Sequence, residues 1–334
     1  MNAATKKRTL GQFFTKNKFW LKDHILEFIK STGATIAFDP FAGDGDLLRA
    51  AKEIGFKKVK GLDIDRTLNW KYNDSLLSVP KINNSIIITN PPYLSNYSAK
   101  RKGVLDDVKQ YFDICKYDDL YQLAIEKCLA NDFGIMIIPE TFINSNFPKH
   151  RLASITIIEE QLFNDTEIPV CLICFDNEEK SYERIKVYKN DEFLGDLQHF
   201  ENMRQIPQKR IRLKFNSPTG QIALRAVDTT DPKRPISFMK PEEIDYDLTT
   251  IKHSSRLITV IELKAKNGAI DKIIKYSNDL LFEFRRQTRD VLLSPFKGNK
   301  KNGERRRRLD YLTARAILEN AYEMAHPDRE LKLF

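Results

Sequence analysis

The seven residues Asp39-Pro40-Phe41-Ala42-Gly43-Asp44-Gly45 constrain the fold of this chain more than any other feature. They join a short β-branched run at 35–39 (TIAFD) to a helix-forming run, LLRAAKEIG, that stops at Gly55. A proline and two glycines at such a junction make a tight turn whose backbone can approach a ligand closely, and the helix amino terminus that follows favours an anionic group. Further strands are expected at 58–65, 83–90 and 133–140. Helices are expected over NKFWLKDHILEFIKSTG, ended by Gly33, and over DDLYQLAIEKCLAND. Strands alternating with helices predict a parallel, doubly wound sheet. The runs at 156–163 and 168–176 have no helix between them, which predicts an antiparallel pair at the edge of that sheet. Beyond about residue 180 the rhythm becomes irregular and charged, with helices expected at roughly 257–267, 279–293 and 309–325. The expected architecture is α/β: a Rossmann-like, mostly parallel sheet with an antiparallel edge strand over 1–180, and a smaller α+β region over 181–334.

Charge points to the kind of partner. Lys and Arg outnumber Asp and Glu by nine, and the segment 285–308 alone carries ten basic and two acidic residues, nearly the whole excess. A solvated arm would account for such a run, but its concentration favours a surface that meets phosphates and releases their counterions. A smaller basic group, Lys6, Lys7, Arg8, Lys16 and Lys18, lies near the other end. Hydrophobic residues at 41% exclude wholesale disorder, and four cysteines in 334 residues do not make a disulfide framework. No apolar run approaches the roughly 18–20 residues that span a bilayer. The opening MNAATKKRTLGQFF has no apolar segment, so neither a signal peptide nor a membrane is expected and a cytoplasmic location is. Cys171 and Cys174 lie in one apolar run, and the five histidines are scattered, so no metal is expected.

Two further segments carry chemistry. An acidic residue ending the second strand, Asp63 in LDID, can accept both hydroxyls of a ribose; otherwise it is a surface carboxylate. With the glycine turn it indicates a cofactor containing adenosine. Asn90-Pro91-Pro92-Tyr93 follows a buried strand and so stands at the carboxyl edge, where open α/β sheets bind ligands. The Asn90 side-chain carbonyl and the Pro91 carbonyl can converge on one amine, Pro92 offers no amide to compete, and Tyr93 supplies a flat face. A plain proline-rich turn is the alternative.

Gly11-Gln12-Phe13-Phe14-Thr15, then DPFAGDG, LDID and NPPY, in that order, resemble the gamma-class N6-adenine site-specific DNA methyltransferases of type II restriction–modification systems. The resemblance spans about residues 10–176. It implies S-adenosylmethionine as cofactor, double-stranded DNA as partner, a cognate restriction endonuclease as functional counterpart, and target recognition in the later half. It also implies that Thr15 contacts the cofactor carboxylate and that Asp39, Phe41, Gly43 and Gly45 line its methionine portion. Asp63 then binds the ribose and Asp74 the adenine amine. Asn90 and Pro91 hold the target amine, Tyr93 stacks on an extruded base, and Phe163 meets its other side unless it is ordinary core. NPPY is shared with methyltransferases of protein glutamine and of RNA, and an idle DNA-binding module is the remaining alternative.

Overall fold

Strands β4 (Ser85–Thr89) and β5 (Gly134–Pro139) are buried along almost their whole length, as strands are when helices cover both faces of a parallel sheet. They lie at the centre of the first of two compact units into which a computed structural model divides, between Gln198 and His199. The structure describes residues 18–163, 166–244, 257–263 and 268–326. Around the central strands the sheet contains β1 (Ile36–Asp39), β2 (Lys58–Asp63), β3 (Lys71–Tyr72), β6 (Leu152–Ile158), β7 (Val170–Phe175), β8 (Lys186–Lys189) and β9 (Glu192–Asp196). Its order is β3-β2-β1-β4-β5-β7-β6-β8-β9. Strands β3 to β5 run parallel, and β7 inserts antiparallel between β5 and β6. The expected doubly wound, mostly parallel sheet is present. Its helices are α1 (Asp23–Ser31), α2 (Asp46–Glu53), α3 (Asn96–Lys102), α4 (Leu105–Ile114) and α5 (Leu120–Cys128). A short helix, α6 (Leu197–Asn202), crosses the division.

The antiparallel pair is not the last of the sheet. β8 joins β6 in parallel and β9 returns antiparallel through a turn at Asn190, whose φ of 51° is the left-handed value such hairpins use. The first unit therefore continues past residue 180. Among its core side chains are Trp20, Ile25, Leu48, Ile86 and Phe163. Cys171 and Cys174 are both buried in β7. Positions three apart on a strand face opposite sides, so the two thiols cannot share a ligand. Burial pushes both thiols up, and that of Cys128 likewise, whereas Cys115, at the carboxyl end of α4, is half-exposed. No helix among the described residues is long and apolar enough to cross a membrane.

The second unit has a four-stranded antiparallel sheet, in order β10 (Leu213–Phe215), β13 (Ile258–Leu263), β11 (Ile222–Arg225) and β12 (Ser237–Met239). It also has a hairpin of β14 (Ser294–Asn299) and β15 (Arg305–Arg308), and helices α7 (Ala269–Thr288) and α8 (Tyr311–Ala325) that pack together. The helix expected at 257–267 is instead strand β13 over its described part. Its sequence ITVIEL is rich in β-branched residues, and neighbours on both sides complete its hydrogen bonds.

The basic run 285–308 is not one solvated surface. On β15 alternate side chains face opposite ways, so Arg305 and Arg307 are buried while Arg306 and Arg308 are half-exposed. Asp228, fully buried, organises this region. Its carboxylate accepts a bidentate pair from Arg285 at 2.8 and 3.0 Å, and the amides of Ile236 at 2.9 Å and Arg307 at 3.0 Å. Lys300 stands 3.7 Å away. Four of the ten basic residues thus serve the interior.

Candidate active site

The carboxyl ends of β1, β2 and β4 meet at one place, the position where open α/β sheets take their ligands. β1 ends in Asp39, and the following turn carries Gly43 at φ +49° and Gly45 at φ +79° before α2 begins. Few residues other than glycine adopt these values without strain. Asp39 Oδ1 accepts from the Phe41 amide at 3.0 Å and from the Thr89 hydroxyl at 2.5 Å. Burial pushes the Asp39 carboxyl up to about 7 against these two bonds, and the charge of Asp63 adds to the rise. Asp63, at the end of β2, binds the turn from the other side. Its two oxygens accept from the amides of Gly43 and Asp65, each at 2.8 Å. The Ser75 hydroxyl donates to the Pro40 carbonyl at 2.6 Å.

These groups bound a cavity of about 340 Å³. That is within the range of small-molecule sites. Asp39, Phe41, Gly43, Asp63, Asp74, Asn90 and Pro92 all line it. Gly45 caps α2 beside it. Seven aspartates contribute to the wall, Asp39 and Asp63 among them. Such a lining favours a cationic ligand, and a sulfonium cofactor with an α-amino group is one. The residues present therefore fit S-adenosylmethionine. Thr15 and the opening Gly11-Gln12-Phe13-Phe14-Thr15 lie outside the described residues.

Sequence reasoning missed the far wall. α4 contributes Asp107, Val108 and Tyr111, and the Tyr111 hydroxyl donates to Asp74 Oδ2 at 2.8 Å. The spacing of these three marks one face of a helix, but nothing local tells that the face closes a cavity.

At the acceptor end, Pro91 is buried and Asn90, Pro92 and Tyr93 are half-exposed. The Tyr93 hydroxyl stands 2.5 Å from Asn90 Oδ1 and 2.8 Å from the Ile137 carbonyl, with a single proton to give. Phe163 is buried and meets the Tyr93 ring edge to face, with centroids 6.2 Å apart. The structure thus brings the two aromatic residues together on the core side of Asn90.

The profile of a family described as "Eco57I restriction-modification methylase" matches residues 10–172, just under half of the chain. The matched segment resembles a restriction–modification methylase, and its cofactor is S-adenosylmethionine. The type I restriction–modification methyltransferase subunit of Streptococcus thermophilus is 15% identical, with a TM-score of 0.38, over 58% of this chain and 52% of that one. TrmN from Thermus thermophilus is 14% identical, with a TM-score of 0.32, over 48% of this chain and 49% of its own. This chain spans about half the length of each. Likeness at these scores supports no residue-by-residue correspondence. No curated protein matches the sequence.

Proposed function

We propose that this chain transfers a methyl group to the exocyclic N6 amine of adenine in a specific double-stranded DNA sequence, protecting it from a cognate restriction endonuclease. The observation that carries the reading is that Asn90 lines the same acid-walled cavity as Asp63 and Asp74. The acceptor group and the cofactor wall thus share one space.

The bound cofactor supplies an electrophilic methyl on a sulfonium centre. The protein supplies binding and position, which lowers the barrier by holding the reacting atoms near attack geometry. Asp63 holds the ribose, Asp74 the adenine amine, and the turn through Gly43 the methionine portion. Asn90 Oδ1 has two lone pairs, so it can face Tyr93 and still accept from a target amine, with the Pro91 carbonyl as second acceptor. A base inside a duplex is out of reach and must be extruded at a cost of a few kcal/mol. Stacking on Tyr93, with Phe163 behind it, offsets about 1–3 kcal/mol of that.

Parallel incubations of labelled S-adenosylmethionine with duplex DNA, with RNA and with protein, followed by nucleoside and amino-acid analysis, test the reading. N6-methyladenine at one DNA word is the expected product. Label only in RNA or in protein glutamine overturns it.

The second unit is proposed to contact the DNA backbone through the outward part of 285–308. Lys297 and Lys301, which are exposed, are the residues to neutralise, whereas Arg305 and Arg307 are buried. Lys297→Ala with Lys301→Ala should weaken cognate and scrambled duplexes equally. The slope of log affinity against log salt should fall by roughly 0.9 per lost contact. An unchanged slope would make this stretch a solvated face.

A further inference from the structure

Trp70 touches the cofactor turn from outside. Its indole Nε1 donates to the Gly43 carbonyl at 2.8 Å. The amide of Gly43 is already given to Asp63, so both backbone polar groups of that residue are held. The ring also lies where side chains would be at two glycines. A Cβ on Gly61 would stand 2.4 Å from the indole, and one on Gly45 would stand 2.8 Å from it. Gly61 is on β2 and Gly45 starts α2, so one flat ring covers the turn and both elements flanking it.

We propose that Trp70 is a positioning residue for cofactor binding. It clamps the turn 39–45 against β2 and fixes the Gly43 carbonyl, so that the turn has its binding shape before the cofactor arrives. It touches neither methyl donor nor acceptor in this reading; it acts through Gly43, whose conformation at φ +49° is open to many alternatives when unsupported. A preorganised turn raises affinity by removing the ordering cost from the binding step. Gly61 leaves room for the indole, and so does Gly45, which its φ of +79° also favours as glycine. The inference rests on the cofactor reading of the turn.

The test uses the full chain and S-adenosylmethionine itself. Trp70→Phe keeps a ring but loses the N–H donor, and should weaken cofactor binding by roughly 3- to 10-fold in calorimetry, the scale of one hydrogen bond. KM for the cofactor should rise by the same factor while kcat at saturation stays, because the Asn90 end is untouched. Gly61→Ala, which leaves Trp70 in the chain but denies it its place, should reproduce the loss. The chain has two tryptophans, and Trp20 is buried in the core. A change of indole emission on cofactor addition should therefore disappear in Trp70→Phe. Asp63→Ala serves as reference. If it weakens binding while folded Trp70→Phe and Gly61→Ala do not, the clamp is refuted. If Asp63→Ala also binds with wild-type affinity, the cofactor reading falls and the clamp with it.

Discussion

Asn90→Ala abolishes methyl transfer and leaves cofactor affinity nearly intact: this is the expected result with the largest effect on activity. Asn90 stands at the carboxyl end of β4, whereas the contacts proposed for the ribose and the adenine are Asp63 and Asp74. Removing its carboxamide takes away the proposed acceptor of the target amine and the partner of the Tyr93 hydroxyl, but none of the proposed cofactor contacts. A folded variant that loses binding and turnover together would show that Asn90 belongs to the cofactor wall. The neighbouring ring gives a graded control. Tyr93→Ala removes the proposed stacking surface and should cut turnover strongly. Tyr93→Phe keeps the ring and loses the hydroxyl bonds to Asn90 and the Ile137 carbonyl, so its loss should be much smaller. Equal losses in single-turnover kinetics would mean that the hydroxyl, through its hold on Asn90, is the essential part of Tyr93.

The largest effect on stability is expected at Asp228. Asp228→Ala leaves the Arg285 guanidinium, only 15% exposed, without one of its two carboxylate partners. It also strips the amides of Ile236 and Arg307 of their acceptor. Breaking a buried pair on one side costs about 3–5 kcal/mol. The pH dependence has a definite sign. Burial alone would raise the Asp228 carboxyl, but the hydrogen bonds and charge of Arg285, with the Ile236 amide and Lys300, outweigh it and hold it below the ordinary carboxylate value. The stabilisation is therefore complete above the ordinary carboxylate range and is lost as pH falls through the lowered value. Urea titrations of wild type and Asp228→Ala at neutral and acid pH should show the gap between them closing at low pH. A gap independent of pH would show that the carboxylate charge contributes nothing.

Much of the first unit was legible because its signals are local. The turn at 39–45, the strands on either side and the Asn90-Pro91-Pro92-Tyr93 edge are each contained in a few adjacent residues, and the structure brings them to one cavity. What escaped depends on residues far apart. Tyr111 meets Asp74 across 37 positions, and Arg285 meets Asp228 across 57. No window of sequence contains either pair. The stretch at 257–263 was misread for a related reason: LITVIEL has apolar residues that suit either period, and two neighbouring strands decide in favour of β13. The arginine run shows that composition alone cannot separate inside from outside, since alternation on a strand sorts four identical side chains into two pairs.

The burial of three of the four cysteines has a practical corollary. Their thiols are shut away from solvent and kept protonated, while Cys115 remains half-exposed. Alkylation needs an accessible thiolate, so a maleimide dye added to the native protein will attach at Cys115. That position ends α4, the helix whose Val108 and Tyr111 wall the cavity. The wild-type chain thus comes with one built-in labelling point, from which dye emission or a spin label can follow the helix as the cavity fills, with no engineered cysteine and none to remove.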